Sequence, residues 1–138
     1  MIIERKKSSI YTNILIGIAL LALISIAIFE PNGGFKFYYL IFLFIAIYDF
    51  IVAIYNWKTP LVKLSDNTIT FYVFPNKKFT YNVENITADY KSGDYIFITD
   101  KANKYKITKS DIPQKQINTF EDYIIRLQKF QSNQNLVT

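Results

Sequence analysis

The chain has 138 residues, about the size of one ordinary domain, with a formal net charge of +5 and neither cysteine nor histidine. The missing residues exclude disulfides, thiolate ligands, a cysteine nucleophile, most metal sites and the commonest general base. The 16 basic residues, of which only Arg5 and Arg126 are arginines, are interspersed with 11 acidic ones. No block of like charge is long enough for a nucleic-acid arm.

Composition divides the chain near residue 57. From Ile14 to Phe29 every residue is apolar or small except Ser25, and a second apolar run from Phe37 to Trp57 is broken only by Asp49 and Asn56. With Tyr11, Thr12 and Asn13 the first segment has about nineteen residues, so at a rise of ~1.5 Å per residue both cross a hydrocarbon layer of ~30 Å, the first with little to spare. Between them Glu30-Pro31-Asn32-Gly33-Gly34 collects helix stoppers and turn formers. Residues 1–57 are therefore predicted to form a two-span transmembrane hairpin. Arg5, Lys6 and Lys7 precede the first run and Lys58 and Lys63 follow the second, whereas the turn region has Lys36 alone. The positive-inside rule then places both termini in the cytoplasm, and Tyr11, Tyr38, Tyr39, Tyr55 and Trp57 fall at the expected lipid–water boundaries. The competing assignment is a cleaved signal peptide. Against it stand the length of the apolar core and the lack of a small-x-small cleavage site before the turn.

Asp49 is the one ionisable residue inside a predicted span, ~12 Å from the cytoplasmic boundary at helical rise. A carboxylate at that depth costs on the order of 3 kcal/mol or more, so it calls for a proton, a pair or a neighbouring helix. It is a candidate proton or cation site or partner contact. Alternatively it makes a hydrogen bond that fixes the hairpin or a homo-oligomer, with Ser25 or Gly17 offering a close approach.

Past Pro60 the apolar period becomes two. Strands are predicted at Leu61–Leu64, at Thr68–Phe74 with Ile69, Phe71 and Val73 on one face, through Phe79, Tyr81 and Val83, through Ile86, Ala88 and Tyr90, at Tyr95–Thr99, and at Lys104–Lys109 with Tyr105 and Ile107 inward. Turns fall at 65–67, 75–77, 92–94 and 100–103. Six short strands in this order predict an antiparallel barrel or sandwich, curled or closed to limit its edges. Ser110-Asp111 and Pro113-Gln114 then read as a helix start. Ile117, Phe120, Tyr123, Ile124, Leu127 and Phe130 line one helical side, with Asp122 and Arg126 paired on the other. Residues 58–130 are the predicted β-domain and 131–138 a polar, frayed tail, and 58–138 are expected to fold alone, without the hairpin.

Two spans, then the Leu61–Lys109 strands, then the Pro113–Phe130 helix: this order resembles the small bacterial membrane proteins with a cytosolic pleckstrin-homology-like domain, in which a C-terminal helix plugs a bent antiparallel barrel. The resemblance implies a membrane α-helical hairpin followed by a small antiparallel PH-like β-barrel or sandwich capped by that helix. Members that bind phosphoinositides have a basic cluster around the loop joining the first two strands. Ser65-Asp66-Asn67, with Lys63 nearby, stands there instead.

The carboxylates of the β-domain fall mostly at turns or on the helix's polar side, and no phosphate loop, nucleophile elbow or zinc spacing occurs. No enzyme, cofactor or small-molecule substrate is expected. Lys77, Lys78, Lys101, Lys104 and Lys106 supply a basic surface interleaved with tyrosines. It serves as a solvated strand edge, foremost at Lys104 and Lys106, or as a contact with the anionic inner leaflet, ahead of nucleic acid. The expected function is a non-catalytic, membrane-anchored interaction module that binds a protein partner or itself. The alternative is a small membrane immunity or defence factor against a membrane-active peptide.

Overall fold

The computed structural model describes residues 1–30 and 34–134 of the chain and divides it into two compact units. One is helical, Lys7–Lys58; the other combines Met1–Lys6 with the chain from Thr59 onward.

The helical unit consists of α1 (Lys7–Phe29) and α2 (Tyr38–Lys58). Its buried residues are Ile10 and Gly17 on α1 and Tyr39, Ala46 and Ala53 on α2. Each set recurs every seven residues, which keeps a seam facing its neighbour along two packed helices. Small residues let the backbones approach. A Cβ on Gly17 would lie 3.0 Å from the Phe50 ring and 3.4 Å from the Ala46 carbonyl oxygen, so a larger side chain there would push the helices apart. Ser25 and Thr12 donate their hydroxyls back to their own helix, at Leu21 (2.8 Å) and Ser8 (2.9 Å). The expected turn falls partly on Pro31, Asn32 and Gly33, which lie outside the described residues.

Among the described residues the β unit has seven strands: β1 (Ile2–Ile3), β2 (Val62–Leu64), β3 (Thr68–Val73), β4 (Lys77–Asn82), β5 (Ile86–Lys91), β6 (Asp94–Thr99) and β7 (Lys104–Thr108), followed by α3 (Gln114–Gln134). The six strands expected from sequence form within a residue or two of their predicted bounds; β1 was not foreseen. It corrects the domain boundary too, because Met1–Lys6 belongs with the strands and not with the hairpin. The attachment is dense. Ile3 pairs with Val62, Leu61 N–H donates to the Ile3 carbonyl (2.8 Å), the Met1 amine and carbonyl bond the backbone of Leu64, and Lys6 N–H donates to the Asp111 carbonyl (3.0 Å).

The strands form two antiparallel sheets, ordered β1-β2-β3-β4 and β5-β6-β7, in place of one closed barrel. The ladder breaks where Val83–Asn85 winds into a 3₁₀ turn between β4 and β5. In the first sheet the register aligns Ile3, Val62 and Phe71 in one row and Leu64, Ile69 and Tyr81 in the next. The second aligns Ala88, Phe97 and Tyr105. These inner faces meet through the Phe71 ring, stacked on Tyr105 at 4.3 Å and edge-on to Phe97 at 5.1 Å. Between β5 and β6, Ser92 (φ 54°) and Gly93 (φ 87°) form a two-residue reversal with two left-handed positions, the conformation that suits a right-twisted hairpin.

Helix α3 completes the core with Ile117, Phe120, Ile124 and Leu127, all buried, and Ile112 joins them from the preceding loop. Phe120 packs edge-on to Tyr95 at 4.9 Å. Four expected inward positions are instead more than a third exposed: Val73, Phe79, Tyr90 and Phe130. Each lies at or near an element's end or on an edge strand, where no layer covers it. Ser110 and Asp111 form part of a 3₁₀ turn, Lys109–Asp111, and do not cap α3 with a side chain. The helix also runs to Gln134, four residues into the segment expected to fray; residues 135–138 lie outside the described residues.

The polar side of α3 closes two sheet edges. The Gln116 amide accepts from Glu4 N–H (3.0 Å) and donates to the Ile2 carbonyl (3.1 Å), the pattern a neighbouring strand would make. Gln128 donates to the Ala88 carbonyl (2.9 Å), and Gln131 to that of Ile86. The outer edges of β1 and β5 are thus occupied by glutamine side chains, which discourages pairing with another chain.

Candidate functional site

The β unit carries a groove of about 570 Å³ between the β2–β3 turn, the end of β4 with its 3₁₀ turn, and the second half of α3. Asp66, Asn67, Asn82 and Glu84 supply its polar rim, Val83 and Leu127 its apolar floor, and Tyr123, Arg126 and Phe130 its helical wall. Helical spacing puts residues 123, 126, 127 and 130 on one side of α3. Tyr123 is anchored by its hydroxyl, which donates to the Ser65 carbonyl (3.0 Å). Burial, with the Asp66 carboxylate behind it, raises its phenol above the ordinary value of 10.0.

Arg126 is the groove's cation. The i,i+4 pair with Asp122 does not form, and among the described residues Arg126 makes no hydrogen bond or ion pair. A surface pair of that kind contributes only ~0.3–0.5 kcal/mol, too little to hold the guanidinium against solvation. Phe130 is 43% exposed beside it. An unpaired guanidinium thus stands next to an exposed ring, with two amides and two carboxylates around an apolar floor. The sequence marked Phe130 as core and Arg126 as paired, so the groove was not legible there. The signal that could have found it is the position of Phe130 beyond Leu127, the last buried residue of the helix among the described ones, with Arg126 one turn before Phe130.

A second cluster joins α3 to the other sheet. Glu121 Oε1 accepts from the Tyr95 hydroxyl (2.6 Å) and from Lys109 Nζ (2.6 Å). Lys109 also lies over the Tyr90 ring at 6.0 Å. Lys109, and then Tyr95, hold the Glu121 carboxyl below its ordinary 4.5, while Glu121 raises Lys109 above 10.5. Burial first and Glu121 second push the Tyr95 phenol well up. Tyr105, buried and bonded to Tyr81 (2.7 Å), is pushed up to about 12.

The sign of the pH dependence follows. A depressed carboxyl contributes stability above its unfolded value and loses it as pH falls through the folded one; a raised ammonium contributes below its unfolded value and loses it as pH rises through the folded one. The pair therefore contributes fully between about 4.5 and 10.5. Glu121→Gln is expected to lower the denaturant midpoint at pH 7 and to lower it by less at pH 3. An equal drop at both pH values would show that the carboxylate charge is immaterial.

The five candidate basic residues are Lys77, Lys78, Lys101, Lys104 and Lys106. All are exposed, but Lys77 and Lys78 point to opposite faces of β4 in the first sheet, while Lys101, Lys104 and Lys106 belong to the β6–β7 turn and β7 in the second. Lys106 Nζ lies 2.8 Å from Asp94 Oδ2. Asp94 is held below its ordinary value by Lys106 and then Thr108.

Asp49 is half-buried near the middle of α2. The partners foreseen for it do not reach it: Ser25 bonds Leu21, and Gly17 faces Phe50 and Ala46. Among the described residues no cluster of three acidic side chains offers a metal site. Comparison of the chain with protein-family models, with curated proteins and with solved structures finds no match.

Proposed function

We propose that the chain is a non-catalytic, membrane-anchored interaction module. In this assignment α1 and α2 cross the bilayer, and the β unit stands at the cytoplasmic face and binds a segment of a protein partner in the groove beside Arg126 and Phe130. The observation that carries it is the exposure of the helical unit. Of 23 and 21 residues in α1 and α2, only the five seam residues are buried and twelve more are half-buried; the others, rich in isoleucine, leucine and phenylalanine, are exposed. A core helix of a water-soluble protein is covered on its apolar side, and soluble monomers rarely leave so large a contiguous apolar surface open. The two helices measure about 34 and 32 Å at 1.5 Å per residue, matched to a ~30 Å hydrocarbon layer.

Hydrogen bonding between β1 and β2 supports the topology. The strands flanking the hairpin are neighbours in one sheet, which requires both to lie on the same side of the bilayer, as an even number of spans allows. Arg5, Lys6, Lys7, Lys58 and Lys63 at these ends favour the cytoplasm. The strands-then-helix order and the burial of α3 against both sheets support a PH-like β unit. In this chain the link between the first two strands is the helical hairpin itself, so a headgroup-binding loop at that place is replaced by the membrane anchor.

The native chain has no cysteine, so single substitutions report topology cleanly. Lys36→Cys is expected to react with an impermeant maleimide on intact cells and Asp66→Cys only after lysis; the opposite pattern overturns the orientation. A photo-cross-linking residue in place of Phe130 should yield a discrete protein adduct that Arg126→Glu reduces. Adducts insensitive to Arg126 would move partner binding away from the groove.

A further inference from the structure

The seam residues of α2 divide the rest of that helix into two flanks that differ in chemistry. At 3.6 residues per turn Leu43, Ile47, Phe50 and Ile54 fall on one flank, all apolar. Phe42, Ile45, Asp49, Val52 and Asn56 fall on the other. Both strongly polar residues of the apolar run thus share one stripe, seven residues apart. Among the described residues neither makes a hydrogen bond or ion pair, and the stripe is only partly covered: Asp49, Val52 and Asn56 are half-buried, Phe42 and Ile45 40% and 43% exposed.

We propose that two copies of the chain pair within the bilayer through this flank, α2 against α2, about a two-fold axis along the membrane normal. The pairing rests on the membrane assignment above. Lipid tails offer the Asp49 carboxyl no hydrogen-bonding partner, so it must find one in protein, and Asn56, at the boundary marked by Tyr55 and Trp57, adds a second polar group to the same stripe. A two-fold axis sets each residue against its own counterpart. Asp49 and Asn56 suit this because each side chain is complementary to itself: two carboxyl groups share a proton in one hydrogen bond, and two amides both donate and accept. Their seven-residue spacing brings both pairs into one parallel helix interface. The small-residue seam is consumed inside the hairpin, which leaves this polar flank as the face that gains most from a second copy.

Full-length protein in native membranes tests the pairing. Under copper-phenanthroline oxidation Ile45→Cys should form a disulfide dimer, and Ile47→Cys, on the apolar flank, should not. Adding Asp49→Leu to Ile45→Cys should reduce dimer yield roughly tenfold, whereas Asp49→Asn, which keeps a self-pairing group, should retain most of it. If the protein resists alkaline carbonate yet positions 45 and 47 cross-link equally, or neither does, the pairing is overturned and the anchor stands. If carbonate releases the chain, the anchor and the pairing both fall.

Discussion

Phe120→Ala is expected to remove about 3–5 kcal/mol from the stability of the β unit. The ring has no solvent exposure and fills the space where α3 meets the second sheet, edge-on to Tyr95 at 4.9 Å and 6.3 Å from the Phe97 centroid. Truncation leaves a cavity that these two aromatic rings cannot close without moving off the strands that hold them. Small domains are stable by ~5–15 kcal/mol in all, so the loss is a large share of the whole. Phe130→Ala, on the same helix but 43% exposed, should change stability by no more than about 0.5 kcal/mol. Denaturant unfolding of the full chain in detergent, followed by near-ultraviolet tyrosine dichroism, measures both. Equal midpoints for the two variants would mean that α3 is an appendage and the sheets sustain themselves.

The second large effect is expected at the other end of the chain. Ile3 is fully buried in a row with Val62 and Phe71, whereas Ile2, its neighbour, is 52% exposed. Alternation along even a two-residue strand thus separates the two isoleucines. Ile3→Ala should cost about 2–5 kcal/mol and Ile2→Ala about 0.5 kcal/mol or less. The same reasoning revises the expectation that residues 58–138 fold alone. A fragment beginning at Lys58 lacks Ile3 and every backbone bond of Met1, Ile3 and Lys6. It should unfold at a lower midpoint than a chain in which a short Gly/Ser linker replaces residues 7–58 and keeps β1. Matching midpoints for the two would remove β1 from the core.

The unforeseen role of Ile3 shows where local reading stops. Ile2-Ile3 is too short to display a period and sits beside a basic run that marks the start of a membrane segment, so nothing nearby identifies it as a strand. Its identity comes from Val62, sixty residues away in sequence and adjacent in the sheet. Gln116, Gln128 and Gln131 are the same kind of case. On a helical wheel they are ordinary solvated residues, and only the arrival of β1 and β5 beside α3 gives them carbonyls to bond. Asp122 and Arg126 err in the opposite direction: their spacing allows a pair, but an exposed pair is too weak to dictate geometry.

What this sequence determined by itself was whatever rests on a short repeating pattern: two long apolar helices, six alternating strands within a residue or two of their ends, and the apolar side of α3 through Ile117, Phe120, Ile124 and Leu127. Those patterns are local because a helix or strand buries one side at a fixed period, and the chain carries that period whether folded or not. The tertiary structure alone decided the seventh strand, the division into sheets of four and three, the closing of two edges by glutamines, and the groove at Arg126 and Phe130. Each depends on which surfaces meet and which are left uncovered after the elements pack. That is a property of distant residues brought together, and no window of the sequence contains it.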